Sequence, residues 1–228
     1  MSTAAKKLAG PLVAVLFNAA CFVTILWLTG RPGFWEFQIS SYEKEDRVHP
    51  PNPGCIVFTG SSSIRFWRSL SEDMKPLDVI NRGFGGSQVS HVNQYAARIV
   101  IPYRPRAVVL YAGDNDLSWP WSKSPETVRD DFARFVGIIH AALPETWIYY
   151  VSMRPAPLGW TDATKIKKGN QLIEEFCRTQ ERAQFIDVNR AMLAAGGNLF
   201  GWDRLHMNAQ GYAIWTSVIK PVLLSRFE

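Results

Sequence analysis

The chain has 228 residues, of which 47% are hydrophobic and 20% are charged. This composition is typical of a globular protein and excludes a disordered or low-complexity chain. The formal charge of +5 arises from Lys and Arg scattered among acidic residues without a basic run, which favours a solvated surface, so we expect no nucleic-acid partner.

An uncharged apolar run fills residues 11–28, after Lys6 and Lys7. A run of this length is sufficient to cross a bilayer. A cleaved signal peptide is the alternative, but residues 28–30 (LTG) fit a small-residue cleavage pattern badly. We therefore favour an uncleaved N-terminal membrane helix over a signal peptide, and both over a buried globular helix.

The positive charges on the two sides of this membrane helix nearly balance, so they give little indication of its orientation. Lys6 and Lys7 precede the run, while Arg31, Lys44 and Arg47 follow it. A short basic tail stays most simply in the cytoplasm. The sequence thus predicts a single-pass anchor with the large domain outside the cytoplasm, periplasmic in a bacterium, and secretion after cleavage as the alternative.

The chain after the apolar run divides at a proline-rich segment. Residues 34–48 have helical spacing, and the sequence HPPNPG at 49–54 ends it abruptly. We therefore predict an anchor or signal segment at 1–30, a helix and linker at 31–53, and one catalytic domain at 54–228. Within that domain, Cys55 and Cys177 could form a disulfide, but we expect buried thiols.

Short apolar runs alternate with amphipathic helices throughout the domain. One helix is predicted to begin with Ser124 as its N-cap and Pro125 as its first residue, and another to begin after Asn208. Continuous apolar strands between such helices indicate a parallel sheet covered on both faces, an α/β fold. The predicted strands are 55–59, 78–81, 107–112, 147–152 and 184–188.

Four short polar motifs follow these strands or precede the last helix. They are GSSS at 60–63, GFGG at 83–86 after Asn81, GDND at 113–116 and DRLH at 203–206. Ligands of parallel sheets bind at the carboxyl ends of the strands. We therefore expect all four motifs at one edge of the sheet.

Together the motifs supply the parts of a serine hydrolase, although each alone has a simpler explanation. The serines could cap a helix, the glycines and the Asn-Asp pair could form turns, and Asp203 with His206 could be a surface pair. A serine nucleophile needs a base, a group that orients the base and donors for an oxyanion. The four motifs offer one of each.

In this order, the motifs resemble the four blocks of the SGNH (GDSL-type) hydrolase superfamily. The resemblance implies a flavodoxin-like three-layer sandwich, five parallel strands and ester hydrolysis through an acyl-enzyme. The family has Asp where this chain has Ser61, so Ser61 and Ser63 remain alternatives to Ser62 as the nucleophile. The resemblance implies these roles: Ser62 as nucleophile, His206 as base, Asp203 as its orienting acid, and Gly86, Asn115 and the Ser62 N–H as oxyanion donors.

The sequence therefore predicts a membrane-anchored serine esterase acting on short-chain or acetyl esters of glycans or lipids. A lysophospholipase or thioesterase acting on long acyl chains, and a catalytically silent glycan- or lipid-binding module, are the alternatives. No motif indicates a metal, a cofactor or an oligomeric state. Three tryptophans, Trp119, Trp121 and Trp160, could border the cleft, pin a loop or lean on the membrane. Arg65 and Arg154 are expected to be surface or strand-end charges, with contact to an anionic substrate as the alternative.

Overall fold

The structure of the protein is a computed structural model, and it describes residues 33–120, 122–157 and 161–227. The chain divides into two compact units, 1–36 and 37–228. Of the first unit only the turn at 33–36 is described, and in it the Glu36 N–H donates to the Gly33 carbonyl at 3.0 Å. The predicted N-terminal membrane helix lies outside the described residues.

A parallel sheet with the strand order β2-β1-β3-β4-β5 forms the centre of the second unit. This is the order of flavodoxin-like folds, and it confirms the predicted five-stranded parallel sheet. Each strand lies within two residues of its predicted position because apolar runs between turn residues mark buried strands clearly. The strands are β1 (Ile56–Gly60), β2 (Val79–Gly83), β3 (Ala107–Tyr111), β4 (Trp147–Val151) and β5 (Ala183–Ile186).

Helices lie on both faces of this sheet. On β4, Tyr150 contacts Phe132 with ring centroids 4.8 Å apart, whereas the adjacent Tyr149 faces the opposite core and lies 6.4 Å from Phe227. The described helices are α1 (Glu36–Val48), α2 (Ser62–Arg65), α3 (Leu70–Asp73), α4 (Val89–Ile99), α5 (Asp114–Leu117), α6 (Pro125–Ala142), α7 (Ala163–Arg178), α8 (Asn189–Ala195) and α9 (Ala209–Phe227), with a 3₁₀ turn at Ile101–Tyr103.

The predicted helix starts are confirmed by their capping contacts. Ser124 Oγ accepts the Thr127 N–H at 3.1 Å, and Pro125 is the first residue of α6. Asn208 Oδ1 accepts the Gly211 N–H at 3.1 Å at the start of α9. These side chains satisfy N–H groups that have no partner within the helix, so they fix where each helix begins.

The core beneath α9 is aromatic. Trp67 is buried, stacks on Tyr212 with ring centroids 5.3 Å apart and meets Trp215 at 5.9 Å. Its indole N–H donates to Asp73 Oδ2 at 2.6 Å, so the polar atom of this large side chain is satisfied. This packing connects the segment after α2 to α9.

Within the described ranges, no helix combines the length and the apolar character that crossing a bilayer requires. Both cysteines of the second unit, Cys55 and Cys177, are buried free thiols, as predicted.

Candidate active site

Two of the four motifs begin at the same level of the sheet, and a third begins two residues beyond that level. In the strand register, Gly60 at the end of β1 lies between Gly83 of β2 and Tyr111 of β3. Gly60 has φ +124°, and a Cβ placed on it would lie 1.9 Å from the Tyr111 carbonyl oxygen. Only glycine fits there, so the chain can turn from β1 directly into the serine segment.

The serine turn exposes one of its three side chains. Ser61 and Ser63 are buried, whereas Ser62, the first residue of α2, is partly exposed. The Ser61 N–H donates to the Tyr111 carbonyl at 2.8 Å, which ties the turn to β3. Within the described residues, neither Oγ nor N–H of Ser62 makes a hydrogen bond. Of the three candidate nucleophiles, Ser62 is therefore the one open to a substrate.

The glycine motif lies beside Ser62. A Cβ placed on Gly85 would be 3.6 Å from the Ser62 Cβ. The next residue, Gly86, has φ +76°, and its N–H donates to no group among the described residues. Asn115, at the start of α5, donates from Nδ2 to the Ser87 carbonyl at 3.0 Å. An amide NH₂ has two donors, so this bond holds the Asn115 side chain next to Gly86 and leaves one donor for an oxyanion.

Asp203 and His206 form the predicted pair. His206 Nδ1 and Asp203 Oδ2 are 2.5 Å apart, and Asp203 Oδ1 accepts the backbone N–H groups of Leu205 and His206, each at 3.0 Å. Burial alone raises the pKa of the Asp203 carboxyl, but these hydrogen bonds outweigh it and hold the pKa below its usual value. A carboxylate that stays ionised can fix the imidazole tautomer with Nε2 free to act as a base.

The loop that carries Asp203 and His206 packs against the helix that carries Ser62. Phe66, at the end of α2, meets the His206 ring edge-to-face with centroids 4.8 Å apart. Among the described residues, no hydrogen bond joins Ser62 to His206; such bonds are often long in ligand-free enzymes and tighten when substrate binds. The structure thus brings all five predicted site residues to one edge of the sheet.

Arg154 follows the end of β4, in keeping with the expected strand-end charge, but it is not on the surface. It is 4% exposed, and its Nη2 donates to the Leu205 carbonyl at 2.9 Å and to Ser63 Oγ at 3.4 Å. Its guanidinium lies 4.8 Å from the centre of the Phe200 ring. The surface alternative was wrong for Arg154 because the loop around Leu205 folds over the end of β4. Arg65 is exposed, as expected.

A buried ion pair supports the Asn115 segment and was not predicted. Asp116 is fully buried and accepts the Val89 N–H at 3.1 Å and Lys123 Nζ at 2.8 Å. Lys123 also contacts Asp131 at 2.9 Å. Burial raises the pKa of Asp116 to about 6, although Lys123 opposes this shift. The pair fixes α5 to the start of α4, the helix that follows the glycine motif.

Exposed tryptophans flank the site residues in sequence. Trp119 follows α5 and is 57% exposed, and Trp202 immediately precedes Asp203 and is 96% exposed. Two other tryptophans of the sequence prediction, Trp121 and Trp160, lie outside the described residues. No group of three or more His, Cys, Asp or Glu that could hold a metal occurs in the described part of the chain.

The family model of the GDSL-like lipase/acylhydrolase family matches residues 52–214, more than half of the chain. The chain belongs to this family. The match confirms the predicted superfamily, and membership makes the protein a carboxylic ester hydrolase. Among curated proteins, no sequence matches the chain.

Several solved structures have a similar fold. A Streptococcus pneumonia protein named for platelet activating factor has a TM-score of 0.75 and 18% identity, over 90% of this chain and 99% of that one. A GDSL-like lipase from Bacteroides thetaiotaomicron has a TM-score of 0.69 and 21% identity, over 82% and 97%. A carbohydrate esterase family 3 protein from Talaromyces cellulolyticus has a TM-score of 0.63 and 21% identity, over 76% and 96%. At these identities the likeness concerns the fold alone.

Proposed function

We propose that this GDSL-like hydrolase is a membrane-anchored serine esterase that uses Ser62, His206 and Asp203 and cleaves short-chain or acetyl esters of glycans or lipids. The observation that carries the proposal is that Ser62 is accessible in a turn whose two neighbouring serines are buried. The loop that packs against this turn holds the hydrogen-bonded pair Asp203–His206. An accessible hydroxyl next to an oriented imidazole is the arrangement that nucleophilic catalysis requires.

In the proposed reaction, His206 Nε2 takes the Ser62 proton as Oγ attacks the ester carbonyl carbon. The oxyanion accepts hydrogen bonds from the N–H groups of Ser62 and Gly86 and from Asn115 Nδ2. Collapse of this intermediate breaks the bond to the alcohol, which leaves with the proton from His206. A water molecule, deprotonated by His206, then attacks the acyl-enzyme and releases the acid, restoring the Ser62 hydroxyl.

The preference for glycan or lipid esters is supported by the surroundings of the site. Trp119 and Trp202 expose large apolar surfaces in the loops after Asn115 and before Asp203, and indole rings stack on sugar faces or acyl groups. The similar Talaromyces protein is named as a carbohydrate esterase. The anchor is supported by the apolar run at 11–28, and we propose an extracytoplasmic location for the catalytic domain.

The nucleophile is tested with S62A, S63A and wild-type protein on p-nitrophenyl acetate. We expect S62A to lower kcat at least about 10³-fold. S63A, which removes a buried hydroxyl of the same turn, is the matched control and should retain turnover within about tenfold. A fluorophosphonate label mapped to Ser61 or Ser63, or equal rates of S62A and wild type, would refute the assignment of Ser62.

The same assay separates the substrate classes. Acetyl and butyryl esters should outcompete decanoyl and palmitoyl esters in kcat/KM. A preference for long chains would favour the lysophospholipase or thioesterase alternative, and no hydrolysis of any ester would favour a silent binding module.

The anchor is tested separately by expressing the full chain and washing membranes with alkaline carbonate. Retention of a protein of full-length mass supports an uncleaved helix, whereas release of a shortened protein shows a cleaved signal peptide.

A further inference from the structure

A cavity of about 580 Å³ lies between α7, α8 and the loop that follows α8. Its described lining contains none of Ser62, Gly86, Asn115 and His206. The volume falls in the usual range of small-molecule sites. Its apolar walls come from Ile166, Phe185, Met192, Leu199 and Phe200.

Four charged side chains line the same cavity, and its acids already have donors. Glu174 pairs with Arg178 at 2.6 Å. Asp187 Oδ1 accepts the Asn189 N–H at 2.9 Å, with two longer contacts from the Ser152 hydroxyl and the Arg190 N–H.

The two cations of the cavity wall, Arg154 and Lys167, have no such partner. Neither has a carboxylate within 4 Å among the described residues. Lys167 is exposed, so water solvates its charge. Arg154 is 4% exposed. Its charge acts on the Asp114 carboxyl, whose pKa it lowers against the larger, raising effect of burial, but no described carboxylate accepts a hydrogen bond from it, and a buried charge is more favourable when a hydrogen-bonded anion neutralises it.

The donors of Arg154 are only partly used. Its Nη2 contacts the Leu205 carbonyl and Ser63 Oγ, but among the described residues nothing accepts a hydrogen bond from its buried Nε or from its Nη1. A guanidinium with free donors in a cavity wall is suited to a planar oxyanion. The wall therefore combines a buried cation whose donors are only partly used with an apolar surface.

We propose that this cavity binds a carboxylate with a medium-length apolar tail, whose head contacts Arg154 and Lys167 and whose tail packs on Ile166, Met192 and Leu199. Glu174 and Asp187 on the same wall favour a monoanion over a phosphate dianion, since a second negative charge would be repelled. Arg154 joins this site to the serine turn through Ser63, but Ser62 does not line the cavity, and the proposal does not depend on which esters the enzyme cleaves.

Calorimetric titration of the full chain with sodium octanoate tests the site. We expect saturable binding of one octanoate, weakened about tenfold or more in K167E because a contact to a charged group is lost and a repulsion is added. K168E makes the same charge change on the next residue of α7, which is exposed and does not line the cavity, and should bind within about twofold of wild type. R154Q should lose binding, with a thermal melt to verify its fold.

Titrations with acetate and with octanol test the charged head and the apolar tail of the proposed ligand separately. Acetate lacks the tail and octanol lacks the charge, so each should bind at least about tenfold more weakly than octanoate. Equal affinity of octanol and octanoate, or equal binding by K167E and K168E, would overturn the proposal. Binding that is lost in H206N but kept in K167E would place the acid at Ser62 and overturn it as well. Because binding rather than turnover is measured, an inactive Ser62 does not affect the outcome.

Discussion

Arg154 donates a hydrogen bond from Nη2 to the backbone carbonyl of Leu205 at 2.9 Å. Leu205 directly precedes His206, and the same Nη2 reaches Ser63, the neighbour of Ser62, at 3.4 Å. One buried guanidinium therefore contacts the flanks of both the proposed nucleophile and the proposed base. We therefore expect Arg154 to position the two.

Replacing Arg154 with Met should lower kcat by about tenfold to a hundredfold, because small displacements of reacting groups are costly. KM for a small ester should change less, since no proposed substrate contact is removed. R68M, at an exposed arginine, is the control. Steady-state kinetics with p-nitrophenyl acetate and a thermal melt measure both effects. A kcat for R154M equal to that of R68M would contradict the positioning role.

The oxyanion role of Asn115 predicts a large loss of turnover without loss of fold. N115A should lower kcat by about 10²–10³-fold, as expected when one oxyanion donor is removed. N93A removes a similar side-chain bond, from Asn93 Nδ2 to the Asp131 carbonyl at 2.9 Å, away from the site. We expect N93A to keep its kcat. Comparable losses in both variants would argue against a role for Asn115 in catalysis.

Replacement of two glycines with alanine should change the stability of the fold in opposite directions. G60A should destabilise the fold by about 3 kcal/mol or more, because the added Cβ meets the Tyr111 carbonyl at 1.9 Å and the backbone has positive φ. Gly137 lies within α6 with open space around it, so G137A should stabilise by about 1 kcal/mol. Urea unfolding of the two variants against wild type gives both numbers, and a G60A as stable as wild type would refute the tight turn.

The buried Asp116 predicts a pH dependence of stability. Burial raises its pKa to about 6 in the folded state, against about 4 in an unfolded chain. The folded state binds the extra proton between these values, so this carboxyl contributes stability at low pH that is lost as pH rises from about 4 to about 6. D116N removes the titration. Urea unfolding from pH ~4 to pH ~7 should show that the free energy of unfolding of wild type falls relative to that of D116N. If the difference between the two free energies stayed constant or rose with pH, the raised pKa of Asp116 would be contradicted.

The two thiols of the second unit should be inert in the native protein. Burial raises the pKa of Cys55 to about 11 and that of Cys177 to about 12, so both stay protonated near neutral pH, and the thiolate is the reactive form. Iodoacetamide with peptide mapping should label neither residue in native protein and both in urea. Rapid native labelling of Cys177 would show that α7 opens readily.

Much of the fold follows from local patterns. Apolar runs bounded by turn residues located all five strands, and Ser124-Pro125 marked the start of α6, because these signals depend on neighbours in sequence. The helices α2 and α5 have four residues each, too few for a helical period to show. The motifs that they carry were found through their chemistry instead.

The supporting residues of the site depend on packing that no local pattern encodes. Arg154 is buried because the loop before α9 covers it, and Leu205 lies 51 residues away in sequence. Its position at the carboxyl end of β4 was the one available signal, since ligands bind at that edge. Asp116 and Lys123 are closer in sequence, but polar residues in a loop are usually solvated, so their buried pairing could not be predicted.

In the described part of the chain, the hydrogen bonds of Asp203 come from residues within three positions of it. Asp203, His206 and the backbone between them form one small ring of contacts, which would stay intact if the loop shifted as a body. The proposed proton acceptor would then reach Ser62 already aligned by its own carboxylate. Loop motion can change how far His206 is from Ser62 without changing which imidazole nitrogen is available.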